Sequence, residues 1–291
     1  MKYTVSPTPT VTPRPTATVT LTPTVLRSST ITPTRTPTPT PKPTATPTPT
    51  PKPLTGPPKD GYSNYLLATE RGNVWVRVIS IDLNSAEMIT DAASDGDCKD
   101  QCPTKSLGAY VAGSGGFAGI NGSYFCPPDY AECAGKVNTF NFTFYNSRSK
   151  QWINKEYITW NDRAILYQDQ SGVHFNRSTT HSNVLANTGV KAAIVNAPGL
   201  LDGGQVIADQ YPLTDKQKTR GLKAGIGYHG MTVYLVLASN VDMTDFGYVF
   251  KALGATHALN LDAGGSSAMW YGLYRAGPGR SLPNAIIFRV K

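Results

Sequence analysis

The stretch ALNLDAGGSSAMWY, residues 258–271, sets a carboxylate and a polar turn between two apolar runs. Ala258 to Leu261 read as a buried strand that ends on Asp262. Gly264 and Gly265 admit positive φ and let backbone N–H groups come close to a ligand. Successive N–H groups of this kind form an anion-binding nest. Ser266 and Ser267 add hydroxyl donors. Such a segment can hold a phosphate beside a carboxylate. It has neither the lysine nor the spacing of a Walker loop. Taken alone, it also fits a tight turn in which Asp262 bonds its own backbone.

Other stretches supply matching chemistry. GINGSYF (119–125) is a second strand-end loop and offers Asn121 and Gly122. RGLKAGIG (220–227) brings two cations, Arg220 and Lys223, to the mouth of a strand. Asn284 opens the final apolar strand. With GPGRSLPNAIIF (277–288), these stretches resemble the phosphodiester glycosidase family over roughly residues 110–290. Two positions depart from the family's usual pattern. Ala263 stands where LDGGGSS has its first glycine, and alignment on Ile226-Gly227 puts Lys223 where the family has arginine, with Arg220 three residues earlier.

The resemblance implies hydrolysis of a sugar-1-phosphodiester of the N-acetylglucosamine type, releasing free sugar and a phosphomonoester. The leaving group is an anion of low basicity, so it needs charge stabilisation more than a proton. Arg220 or Lys223 and the N–H groups of 264–267 would supply that stabilisation. The oxocarbenium-like centre needs a carboxylate to stabilise it, attack it or activate water, and Asp262 is the acid within the family-like loops. Asn121, Gly122, Gly264, Gly265, Ser266, Ser267 and Asn284 are the expected substrate-binding residues. Neither a metal nor a cofactor is expected; His174, His181, His229 and His257 show no metal-ligand spacing. The competing expectation is a non-catalytic carbohydrate-binding module on a cell-surface stalk. Such a module favours exposed aromatic rings on a flat face and has no use for a carboxylate beside a cation.

The elements that must position these residues follow from periodicity. Residues 73–83 alternate Val74, Val76 and Val78 with polar partners, as a strand does. Segments 139–153, 163–177 and 223–239 read as hairpins, and 191–207 as two strands around a Pro-Gly turn. Residues 104–115 form a short helix that fails in glycines. In 242–255, Asp242 is an N-cap, Phe246, Val249, Phe250 and Leu253 make one apolar face, and Gly254 ends the helix. Many strands, few helices and no βαβ alternation predict an α+β fold with a mixed, mainly antiparallel sheet.

Four cysteines, Cys98, Cys102, Cys126 and Cys133, allow three pairings. Cys98–Cys102 with Cys126–Cys133 is preferred, each bridge closing a short polar loop, and an oxidising compartment is implied.

Residues 1–59 differ in kind from 60–291. They hold 16 of the 23 prolines, seven of the 27 basic residues and no acid. That composition predicts a disordered, extended Thr/Pro-rich linker or stalk. The remaining 60–291, the expected glycosidase-like domain, carries 20 basic against 19 acidic residues. A domain so close to neutral lacks the electrostatic footprint of a nucleic-acid binder. No segment is long and apolar enough to span a membrane. The start of the chain also lacks the apolar core of a signal peptide. A stalk nevertheless fits an extracellular or cell-surface protein, acting on a glycosyl phosphodiester or a surface polysaccharide.

Overall fold

The computed structural model describes residues 51–160, 162–179 and 183–291. Most of the Thr/Pro-rich segment and His181 lie outside the described residues. The described residues build three sheets, in which every ladder is antiparallel.

The first sheet has seven strands. They are β1 (Gly61–Thr69), β2 (Gly72–Asp82), β10 (Gly199–Asp202), β11 (Gln205–Val206), β12 (Gly221–His229), β13 (Thr232–Val241) and β14 (His257–Asn260), in the order β1-β2-β13-β12-β14-β10-β11. The second contains β3 (Ala86–Ala92), β4 (Ala118–Asn121), β15 (Met269–Tyr271), β16 (Leu273–Ala276) and β17 (Asn284–Val290), in the order β16-β15-β4-β17-β3. The third contains β5 (Phe144–Asn146), β6 (Gln151–Ile153), β7 (Ala164–Gln168), β8 (Val173–Asn176) and β9 (Ala192–Asn196), in the order β6-β5-β9-β7-β8. Among the described residues three α-helices accompany them: α1 (Leu107–Gly113), α2 (Asp215–Lys218) and α3 (Met243–Ala252).

Faces of all three sheets share one core. Ile79, Ile226 and Leu235 of the first sheet meet Ile120, Ile286 and Phe288 of the second and Phe144, Leu166 and Ile194 of the third. The other face of the first sheet receives α3. Asp242 caps that helix by accepting the N–H of Asp245 (2.8 Å), which aims Phe246, Val249 and Phe250 at Val76, Val78 and Val236. Gly225 and Gly227 of β12 make room for these rings: a Cβ on Gly227 would lie 2.6 Å from Phe250.

The hairpins and the two longer helices fall where periodicity predicts them. Periodicity does not single out strands β1, β3 and β16. β3 carries Glu87 and Asp91, yet it is buried along almost its whole length, because β17 pairs with it and the third sheet covers it. Its polar residues find partners there: the Thr90 hydroxyl donates to the Tyr145 carbonyl and accepts the N–H of Ala193.

Candidate active site

The residues after β14 cross from the first sheet to β15 of the second, so the loop around Asp262 bridges two sheets. Two buried asparagines brace it. Asn121, at the end of β4, accepts the N–H of Ala268 (3.1 Å) and donates to the Asp262 carbonyl (2.6 Å), clamping the loop at both ends. Asn284, at the start of β17, accepts the Ser123 N–H (2.9 Å) and donates to the Ser123 hydroxyl (3.0 Å). Gly122 passes between them. Its carbonyl accepts the Asp262 N–H (2.9 Å), and a Cβ there would sit 1.8 Å from the Asn284 Oδ1. Asn121 and Asn284 are fully buried and belong to the frame.

The loop itself follows its sequence. Ala263 has φ −140°, extended backbone that accepts a Cβ, which explains why alanine serves there. Gly264 has φ +64°, which requires glycine. The N–H groups of Ser266 and Ser267 close the turn onto Ala263 and Gly264, and among the described residues the N–H groups of Gly264 and Gly265 have no protein partner. Ser267 Oγ is buried without a hydrogen-bond partner.

Asp262, Ala263, Gly264 and Ser266 line a cleft of about 740 Å³. Protein packed around the carboxyl raises Asp262 to about 6, against the opposing pull of the Ser266 hydroxyl, the Ala263 N–H and the Arg280 charge. Arg220 and Lys223 also line the cleft, so the expected carboxylate, polar turn and cations converge. The two cations are engaged differently. Arg220 is ion-paired with Asp245, a buried carboxylate that also holds Arg71 (2.9 Å). The Lys223 ammonium donates to the carbonyls of Thr219 (3.0 Å) and Lys216 (3.2 Å), and desolvation lowers its pKa.

The structure adds Arg163, Lys216 and Arg280 to the two cations expected from sequence. Arg280 lies in the same cleft, with Nη1 3.5 Å from the Ser266 Oγ, and its own N–H donates to the Gly265 carbonyl (3.0 Å). A Cβ on Gly265 would approach Nη1 to 2.6 Å, so glycine is needed for this contact. Arg280 pairs with Asp129 and lies over the Tyr130 ring, which also receives the Lys216 ammonium (4.4 Å). Both Asp129 and Tyr130 sit in the loop closed by Cys126–Cys133. The other bridge is Cys98–Cys102.

A family model described as phosphodiester glycosidase matches residues 114–289, more than half of the chain, and spans the loops that carry Asn121, Asp129, Arg220, Lys223, Asp262 and Arg280. The chain belongs to the phosphodiester glycosidase family. Two solved structures share the fold. One is the catalytic domain of zebrafish N-acetylglucosamine-1-phosphodiester alpha-N-acetylglucosaminidase, auto-inhibited by its pro-peptide. It aligns with a TM-score of 0.59 and 11% identity, over 82% of this chain and 87% of that one. A hypothetical protein from Synechocystis aligns with a TM-score of 0.54 and 12% identity, over 79% of this chain; this chain spans 62% of its length. No curated protein sequence matches the chain. For a phosphodiester glycosidase fold, Arg280 is within reach of the sequence: GPGRSLPNAIIF carries the resemblance, and Arg280 is its one charged residue. Tyr124 lies in GINGSYF, which also carries the resemblance, whereas Asp129 and Gln217 give no comparable signal, because they lie in segments without periodicity.

Proposed function

We propose that the domain hydrolyses the glycosidic bond of a sugar-1-phosphodiester, and that it does so outside the cell or at its surface. The observation that carries the reading is Asp262, with its pKa raised to about 6, in a cleft that also holds Arg280, Lys223 and Arg220. Family membership supports hydrolase chemistry, and the two disulfides suit an oxidising compartment.

In this reading the C1–O bond of the sugar breaks and its electron pair stays with the phosphate. The leaving phosphomonoester gains a negative charge, which Arg280, Lys223 and the N–H groups of Gly264 and Gly265 stabilise. Asp262 acts as the carboxylate that meets the developing positive charge at C1, and water adds its hydroxyl to C1 to give the free sugar while its second proton passes to solvent. Arg220, paired with the Asp245 that it shares with Arg71, holds the α3 side of the cleft in place. Asn121, Gly122 and Asn284 fix the Asp262 loop.

The test is release of free sugar from UDP-N-acetylglucosamine or an N-acetylglucosamine-1-phosphodiester by the purified chain. Turnover supports the reading. Binding of glycans with no turnover of any such diester replaces it with the carbohydrate-binding module.

A further inference from the structure

Tyr124 enters the cleft from the loop after β4, and its hydroxyl is set by two amides whose orientations are fixed elsewhere. Asn260 Nδ2 donates to the Tyr124 hydroxyl (2.7 Å) and to the Ala197 carbonyl (3.0 Å). The carbonyl can only accept, so the amide cannot be turned over. Gln217 Oε1 accepts the Thr214 N–H (2.9 Å) in the capping box of α2, so its Nε2 must face the Tyr124 hydroxyl (3.4 Å). The phenolic oxygen thus receives two N–H groups. Among the described residues nothing accepts its own proton, which is left to point into the cleft.

The surroundings of that proton tie it to the cations. Gln217 lies on α2, the segment whose Lys216 carbonyl is held by the Lys223 ammonium. The hydroxyl and the ammonium therefore flank the same four-residue helix, and the Asp262 carboxyl acts electrostatically on the phenol. Burial and that charge raise Tyr124 to about 12, so it remains a donor at any working pH.

We propose that Tyr124 is a catalytic hydrogen-bond donor to the departing phosphate, beside Lys223. The assignment rests on the functional reading above. A donor aimed at an oxygen that gains charge contributes more in the transition state than in the ground state.

Tyr124→Phe in the full chain tests this. Each amide keeps one N–H on the Ala197 carbonyl and loses the acceptor of the other, so the variant is expected to fold with a Tm lowered by only a few degrees. Expected is a fall of about thirtyfold or more in kcat and in kcat/KM together, and roughly tenfold weaker binding of glycerol 3-phosphate by calorimetry, as a product analogue. A variant with a raised KM but unchanged kcat, or with neither constant changed, overturns the proposal. If the unaltered chain turns over no glycosyl phosphodiester, the functional reading fails. The calorimetric comparison then still decides whether Tyr124 faces a phosphate: equal binding by both proteins overturns it.

Discussion

Arg220 and Arg280 both reach the cleft and both hold a carboxylate, but the carboxylates differ. Asp245 is buried in the first turn of α3, between Arg220 and Arg71. Asp129 is exposed, on a loop tied by a disulfide. A buried carboxylate that loses one of its two partners is left under-compensated, which favours Arg220 staying on it. An exposed pair is worth little and exchanges readily. Arg280 can leave Asp129 for a substrate anion at small cost, and its other nitrogen already lies beside Ser266 in the Asp262 loop. The comparison teaches that position at a cleft does not make a cation available; the burial of its partner decides.

The largest effect belongs to Asp262, the acid that shares the cleft with both arginines. Asp262→Asn keeps the shape and removes the charge, and is expected to lower kcat at least about a hundredfold, or roughly 2.7 kcal/mol at 1.36 kcal/mol per decade. The same substitution has an opposite effect on stability. The folded pKa is raised above the ordinary value of 3.8 to about 6, so the folded state binds the proton more tightly. Stability therefore falls as pH rises from about 4 to above 6, by about 2–3 kcal/mol for this group. Asp262→Asn should raise Tm at pH 7–8 and leave it unchanged below pH 4. Near-normal turnover, or no pH-dependent gain in Tm, would remove Asp262 from its role.

Next come the arginines themselves. Arg280→Ala is expected to lower kcat and kcat/KM together by roughly thirtyfold with little loss of stability. Arg220→Ala should change activity less than about threefold and destabilise by about 1–2 kcal/mol, since Arg71 still faces Asp245. Steady-state kinetics and thermal melts on both variants separate the two. Equal losses of activity would break the contrast.

Much of this is legible in the order of the amino acids. Alternating Val74, Val76 and Val78, the capped helix at Asp242 and the strand-end Asp262 are local patterns, and each holds. Local patterns do not reveal direction. Asn121 and Asn284 lie in family-like loops, but their amides turn inward to brace the chain, which depends on strands far apart in sequence becoming neighbours. Arg220 fails as a free cation for a similar reason. Its partner, Asp245, reads as an ordinary first-turn acid until β12 and α3 are packed together. The Tyr124 hydroxyl depends on Asn260 and Gln217, 136 and 93 residues away, and no spacing rule connects them.

The disulfides offer a smaller and sharper test of the same idea. The Cys126–Cys133 loop carries Asp129 and Tyr130, whereas the Cys98–Cys102 loop reaches the cleft only through 137–139: the Val137 carbonyl accepts the Cys102 N–H (3.0 Å) and the Asn138 N–H donates to the Cys126 carbonyl (2.7 Å). Replacing each pair by serine should cost stability of about 2 kcal/mol in both cases. Activity should fall about three- to tenfold for Cys126/Cys133 and stay within about twofold for Cys98/Cys102, by the same logic of a positioned carboxylate. Equal activities in the two variants would show that Arg280 does not need its loop held.

The smallest effect is expected far from the cleft, at the junction with the Thr/Pro-rich segment. The composition changes near Asp60, and β1 begins at Gly61, but contacts start earlier. Leu54 donates its N–H to the Leu66 carbonyl (2.8 Å) and accepts from Ala68 (2.9 Å), while the Tyr65 hydroxyl donates to the Gly56 carbonyl (2.9 Å). These bonds cover the outer edge of β1, the end strand of the seven-stranded sheet. A chain starting at residue 51 should therefore match the full chain in Tm and in turnover. A start at Lys59 forfeits three hydrogen bonds, each worth about 0.5–1.5 kcal/mol when partly exposed ones are counted at the low end. It should melt a few degrees lower with unchanged kcat, because Asp262, Arg280 and Arg220 are all held by other strands. Loss of folding in the chain that starts at 51 would mean that the Thr/Pro-rich residues belong to the domain. A drop in kcat for the start at Lys59, with Tm preserved, would mean that the edge of β1 is coupled to the cleft through Arg71 and Asp245, and the separation between committed and available cations would need to be redrawn.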